Sequence, residues 1–123
     1  MNVFSSGAVQ AAGDDSLLAV LEPARARFRG LIVERVLAFE EFRKGMERSG
    51  DAANALANIA GLAHKIAGVG ATLGFLSVGA LAAAVERCVV DGHARRAAPH
   101  DIWTDVEPRL DALLDALEAL LDA

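Results

Sequence analysis

The sequence predicts an all-α chain, an antiparallel four-helix bundle with a short additional N-terminal helix. Three observations lead there. Apolar residues recur at alternating steps of three and four over long segments, the spacing that puts them on one face of a helix. No alternating strand pattern and no internal repeat competes with it. The chain is 54 % hydrophobic but only 5 % aromatic, so aliphatic and alanine side chains must fill the core, which suits closely packed helices. Its 123 residues fit one domain with one core, and short connections make successive helices neighbours in space.

Residues 1–14 show no period and hold two glycines, so a loose leader is expected there, with the bundle domain over residues 15–123. Asp15 or Ser16 caps a short helix through Leu17, Leu18, Val20 and Leu21 that ends near Pro23. Pro23 also suits the first turn of a second helix, running to about Arg48. Its apolar stripe is Phe28, Leu31, Ile32, Phe39, Phe42 and Met46, with Glu34, Glu40, Glu41 and Lys44 opposite. Val33 and Leu37 fall on the outer face, where the short helix is expected to cover them. Arg35 falls inside the stripe; an unpaired buried guanidinium is strongly disfavoured, so a carboxylate partner or a place at the bundle end is expected.

Ser49-Gly50-Asp51 reads as a helix stop followed by a start, glycine at a left-handed position and aspartate as N-cap. The third long segment is a helix over Ala52–Leu73, with Leu56, Ile59, Ala63, Ile66, Ala67 and Gly70 on its inner stripe. Gly74 ends it, and Ser77 caps the next, whose inner face is Val78, Leu81, Ala82, Val85 and Val89; Asp91-Gly92 closes that helix. Residues 92–100 read as a polar loop. The last helix carries Trp103, Val106, Leu110, Leu113, Leu117 and Leu120 between acidic residues, starting near Asp101 and bending at Pro108. A capping box of Thr104 with Glu107 would instead place Pro108 in the first turn.

A formal charge of −5 removes the nonspecific attraction to phosphate backbones, so no nucleic acid is expected as a partner. No apolar run long enough to span a membrane and no signal-peptide pattern appears, which reads as a cytoplasmic protein without a membrane partner. Cys88 is the only cysteine, expected to be a buried, inert thiol among Val85, Val89 and Val90. His93 and His100 have no ligand spacing, so no metal site is expected.

His64 lies at the edge of its helix's apolar stripe and looks outward. Its neighbours at i−4, i−3, i+3 and i+4 are Ala60, Gly61, Ala67 and Gly68, all small. Each glycine in a helix interior costs about 0.5–1 kcal/mol relative to alanine, so Gly61, Gly68 and Gly70 need a reason. An imidazole left clear for the approach of another macromolecule is such a reason. The neutral ring nitrogen of histidine is nucleophilic near pH 7 and suits it as a phosphoryl acceptor. No glycine-rich loop followed by Lys-Ser or Lys-Thr, no kinase motif and no carboxylate pair for Mg²⁺ accompanies it, so the chain is not expected to use ATP and no cofactor is expected on it.

His64, Ile66, Gly68, Leu73 and Gly74, with Glu86, resemble the signature of the histidine-containing phosphotransfer (HPt) domain, in which the histidine is followed four positions on by glycine and ten positions on by another. The resemblance centres on residues 56–90. It departs at Ala67, where the family commonly carries lysine; here Lys65 follows the histidine directly and points about 100° away. The resemblance implies a phosphorelay protein that takes a phosphoryl group onto His64 from a receiver-domain aspartate, such as that of a hybrid histidine kinase, and passes it to a response-regulator receiver. Mg²⁺ would reside in the partner receiver. Gly61, Lys65, Gly68 and Thr72 would border that partner, while Glu86 reads more simply as a helix-pairing or solvent-facing carboxylate. The alternative is an adaptor that binds receiver or kinase domains through the same face without being phosphorylated.

Overall fold

The computed structural model describes residues 5–122, and among these there are five helices and no strand: α1 (Ser5–Gly30), α2 (Ile32–Gly45), α3 (Ala52–Leu73), α4 (Leu76–Ala94) and α5 (Pro99–Leu121). The chain divides after Gly30 into two compact units, the first holding α1 and the second α2 to α5.

The N-terminal region departs most from expectation. α1 runs through Asp15, Ser16 and Pro23 and takes in residues 5–14, read above as an aperiodic leader; Met1–Phe4 of that leader, and the side chains of residues 5–16 (the expected caps Asp15 and Ser16 included) and of Leu18, lie outside the described residues. The expected second helix does not begin at Pro23. Its interruption falls at Leu31, whose backbone (φ −98°, ψ −2°) breaks the regular run before α2. Val33 and Leu37, expected to be covered, are 54 % and 63 % exposed. Arg35 is half-buried, with no carboxylate partner among the described residues.

In the second unit the core is aliphatic, as the composition requires. Ile32 and Phe39 of α2, Leu56, Ile59 and Ile66 of α3, Val85 and Val89 of α4, and Ile102, Val106, Leu110, Leu113 and Leu117 of α5 are essentially inaccessible, and no polar side chain is buried with them. α3 packs against α4 and α2, α4 against α5, and α2 against α5, with α3 also touching α5.

Three glycines let these helices approach closely. A Cβ on Gly70 would lie 3.1 Å from the Gly79 nitrogen, and one on Gly79 would lie 3.1 Å from the Ala71 nitrogen, so α3 and α4 meet backbone to backbone. Gly92 sits inside α4 rather than closing it: a Cβ there would come within 2.6 Å of Ile102 Cγ1, so its job is to admit the isoleucine that anchors the start of α5.

Helix ends follow the backbone more than the side chains. Gly74 takes a left-handed conformation (φ 83°) that only glycine adopts without strain, its N–H reaching the Ala71 carbonyl while the Phe75 N–H donates to Gly70 O at 2.8 Å. Asp51 occupies the N-cap position of α3 without a side-chain capping bond. Ser77 lies within α4, which begins after Phe75. α5 begins at Pro99 behind an extended Ala98, earlier than Asp101; Thr104 donates back to the His100 carbonyl at 3.0 Å, so no capping box forms and Pro108 lies inside the helix.

α2 and α5 are tied by Arg43. Its guanidinium donates to Glu107 at 2.9 Å and Asp111 at 2.6 Å on α5 and to Glu40 at 3.1 Å on its own helix, and lies 5.7 Å from the centre of the Trp103 ring.

Candidate functional site

His64 lies between three and four helical turns after the Asp51 cap, well inside α3, and its side chain is 73 % exposed. The residues one helical turn before and after it leave it open. A Cβ added to Gly61 or to Gly68 would meet nothing within 4 Å, and both positions are exposed. Gly70 differs from them. It is buried and gives α4 its close approach, so of the three α3 glycines only two serve to clear the ring.

That close approach also builds the site. From the Gly70–Gly79 contact, His64 is six residues back along α3 and Glu86 seven residues on along α4, about 9 and 10.5 Å at 1.5 Å per residue. The two side chains therefore arrive at the same level of the helical hairpin. The Glu86 Oε2 atom lies 2.9 Å from His64 Nδ1. A carboxylate at that distance can only accept, so Nδ1 carries the proton and donates it to Glu86. The lone pair of the neutral ring is then on Nε2, on the side away from α4. Tautomer and ring orientation are set together, as in other sites where a carboxylate fixes a histidine.

Glu86 is the contact to His64 that sequence reasoning underrated. As a family-matching position it was visible, but its reach to His64 depends on the depth of the α3–α4 crossing, and the signal for that was the pair Gly70 and Gly79.

The other expected site residues lie on the exposed side of α3 with His64: Gly61, Lys65, Gly68 and Thr72. The Thr72 hydroxyl donates to the Gly68 carbonyl at 2.9 Å, so it faces a partner as an acceptor only. Ala67 is half-buried beside the ring and brings no charge to it.

Cys88 is only half-buried, not a core thiol: it lines a groove between α4 and α5 with Arg87, Asp91, Arg95, Asp105 and Arg109. Burial pushes its thiol above the ordinary range. Among the described residues no group of three or more His, Cys, Asp or Glu side chains has the arrangement to hold a metal ion, and no helix is long and apolar enough to cross a membrane.

The family described as the Hpt domain matches residues 25–122. No curated protein and no solved structure matches the chain.

Proposed function

This chain belongs to the Hpt domain family, and we propose that it is a histidine phosphotransfer protein of a bacterial-type two-component phosphorelay, carrying the phosphoryl group on His64 Nε2. The observation that supports this best is the exposed ring itself, flanked by Gly61 and Gly68 and held through Nδ1 by Glu86 at 2.9 Å.

In the reaction the Nε2 lone pair attacks the phosphorus of a receiver's aspartyl phosphate. A P–N bond forms as the P–O bond to aspartate breaks, and the aspartate leaves as a carboxylate. Nδ1 keeps its proton throughout, and the positive charge that develops on the ring faces the Glu86 carboxylate. The onward step reverses this: a second receiver carboxylate attacks phosphorus and the electron pair returns to Nε2. No proton has to move in either direction. Phosphoryl transfer needs mainly in-line positioning and charge neutralisation, and here Mg²⁺ and most of the positive charge belong to the receiver. Gly61, Lys65, Gly68 and Thr72 border the docked receiver, the small residues admitting it to the ring. The protein acts in the cytoplasm between a hybrid kinase's receiver and that of a response regulator.

The scaffold for this is an antiparallel four-helix bundle of α2 to α5. The short links at residues 46–51, 74–75 and 95–98 support it, each returning the chain beside the helix it has just left.

The test is to mix the purified chain with phosphorylated receiver domains and Mg²⁺, beside a His64→Ala variant. Acid-labile, base-stable label on the wild type and none on the variant is the expected result. Binding without label would overturn phosphotransfer and leave an adaptor that docks receivers through the same face.

A further inference from the structure

We propose that the groove between α4 and α5 binds a small phosphate-bearing anion, at a place separate from His64. On α4, Arg87, Asp91 and Arg95 follow one another at steps of four and share a stripe, and on α5 Asp105 and Arg109 do the same. The two stripes line one groove of about 390 Å³, the size of a small-molecule site. Cys88 lies on the same lining, and its thiol feels the charges of Arg109, Asp105, Arg95 and Asp91, so these groups surround one space. Glu86 turns from the same helix to His64 on α3. The two places therefore use different flanks of α4.

What singles this groove out is that its donors are unmatched. Arg43, between α2 and α5, shows the opposite case: Glu40, Glu107 and Asp111 all lie within 3.1 Å of its guanidinium. In the α4–α5 groove Arg95 meets a carboxylate, Asp105, only at 3.5 Å. Arg109 donates to the Asp105 backbone carbonyl at 2.6 Å. Among the described residues of α2 to α5, no carboxylate comes within ion-pair distance of Arg87 or Arg109. The chain carries 17 aspartates and glutamates against 12 lysines and arginines, so this does not follow from a shortage of carboxylates.

The chemistry of the ligand follows from these groups. Three arginines against two aspartates leave the groove with a net positive charge. A guanidinium presents its N–H donors as a planar fork that takes two oxygens at once. Three forks from two helices call for more oxygens than one carboxylate holds, and a phosphate or diphosphate supplies them. Asp91 sits in the same lining and opposes the charge of the ligand.

The experiment titrates inorganic pyrophosphate into the full chain at low salt, followed by amide NMR and by the rate at which iodoacetamide alkylates Cys88, the only cysteine. Saturable shifts centred on residues 84–95 and 105–109, with slower alkylation of Cys88, are expected. Arg87→Gln and Arg109→Gln should each weaken binding about ten-fold, the worth of a charge-assisted hydrogen bond, whereas Arg48→Gln, which removes the same charge outside the groove, should leave it unchanged. Asp91→Asn should tighten binding about three-fold by removing a like charge, a gain that damage to the fold cannot produce. Shifts that grow only linearly, as with sodium chloride at the same ionic strength, or equal affinity in wild type, Arg87→Gln and Arg109→Gln, would overturn the proposal. Citrate binding as tightly as pyrophosphate would overturn phosphate as the chemistry recognised.

Discussion

Gly68 and Gly70 are two residues apart on the same helix, yet substitution by alanine should change stability in opposite directions. At Gly68 a Cβ meets nothing within 4 Å, and the position is exposed. Alanine there should stabilise the fold by the helix-propensity difference, about 0.5–1 kcal/mol. At Gly70 the same gain is opposed by a contact of 3.1 Å with the Gly79 nitrogen and 3.2 Å with its Cα, backbone atoms that cannot rotate aside. Forcing a methyl into such a contact typically costs about 1–3 kcal/mol, so Gly70→Ala should be destabilised by up to about 2 kcal/mol net. The variants should therefore differ by about 1–3 kcal/mol, or roughly 1 M in urea midpoint. Trp103, the only tryptophan, reports the transition by its fluorescence. A Gly70→Ala protein as stable as Gly68→Ala would refute the close α3–α4 crossing, and with it the account of how Glu86 reaches His64.

Gly68→Leu should fold normally and block transfer by covering the imidazole; wild-type transfer rates would contradict the docking face. Glu86→Ala should slow transfer about ten-fold, the worth of one charge-assisted hydrogen bond at a partly exposed site, while Glu86→Gln, whose amide oxygen still accepts from Nδ1, should keep more of the rate; equal losses in both would point to charge rather than ring orientation. Arg43→Met should lower stability by about 1 kcal/mol, with the loss shrinking in high salt because Glu40, Glu107 and Asp111 are about half exposed; a salt-independent loss would assign Arg43's role to packing on Trp103. Because burial raises the Cys88 thiol pKa, little thiolate forms near neutral pH, so iodoacetamide should react slowly there and faster as pH rises above the ordinary thiol range. Fast labelling at pH 7 would contradict that environment.

The helix carrying the site was the most legible element, because its signals are local: α3 has the expected limits, Ala52–Leu73, with Gly74 left-handed at its end. The aliphatic faces of α4 and α5 were legible for the same reason, through a sustained helical period. What was not legible depends on neighbours. Gly92 looks like a helix stop in sequence and is one side of a helix contact, which only the position of Ile102 reveals. Ser77 is a good cap by type, but Gly74 and Phe75 complete the turn first. Proline near a helix start misled twice in opposite ways: Pro23 is absorbed into α1, and Pro99 opens α5 ahead of Asp101. At the site, the openness around His64 followed from residue size alone, whereas the hydrogen bond to Glu86 required the crossing geometry.

The central claim is that the phosphoryl group travels on Nε2 of His64, and ³¹P NMR of the chain phosphorylated by a receiver tests it directly. The account predicts a single phosphohistidine resonance of the Nε2 type, absent from His64→Ala. A resonance of the Nδ1 type, or phosphohistidine that persists in His64→Ala, would contradict it.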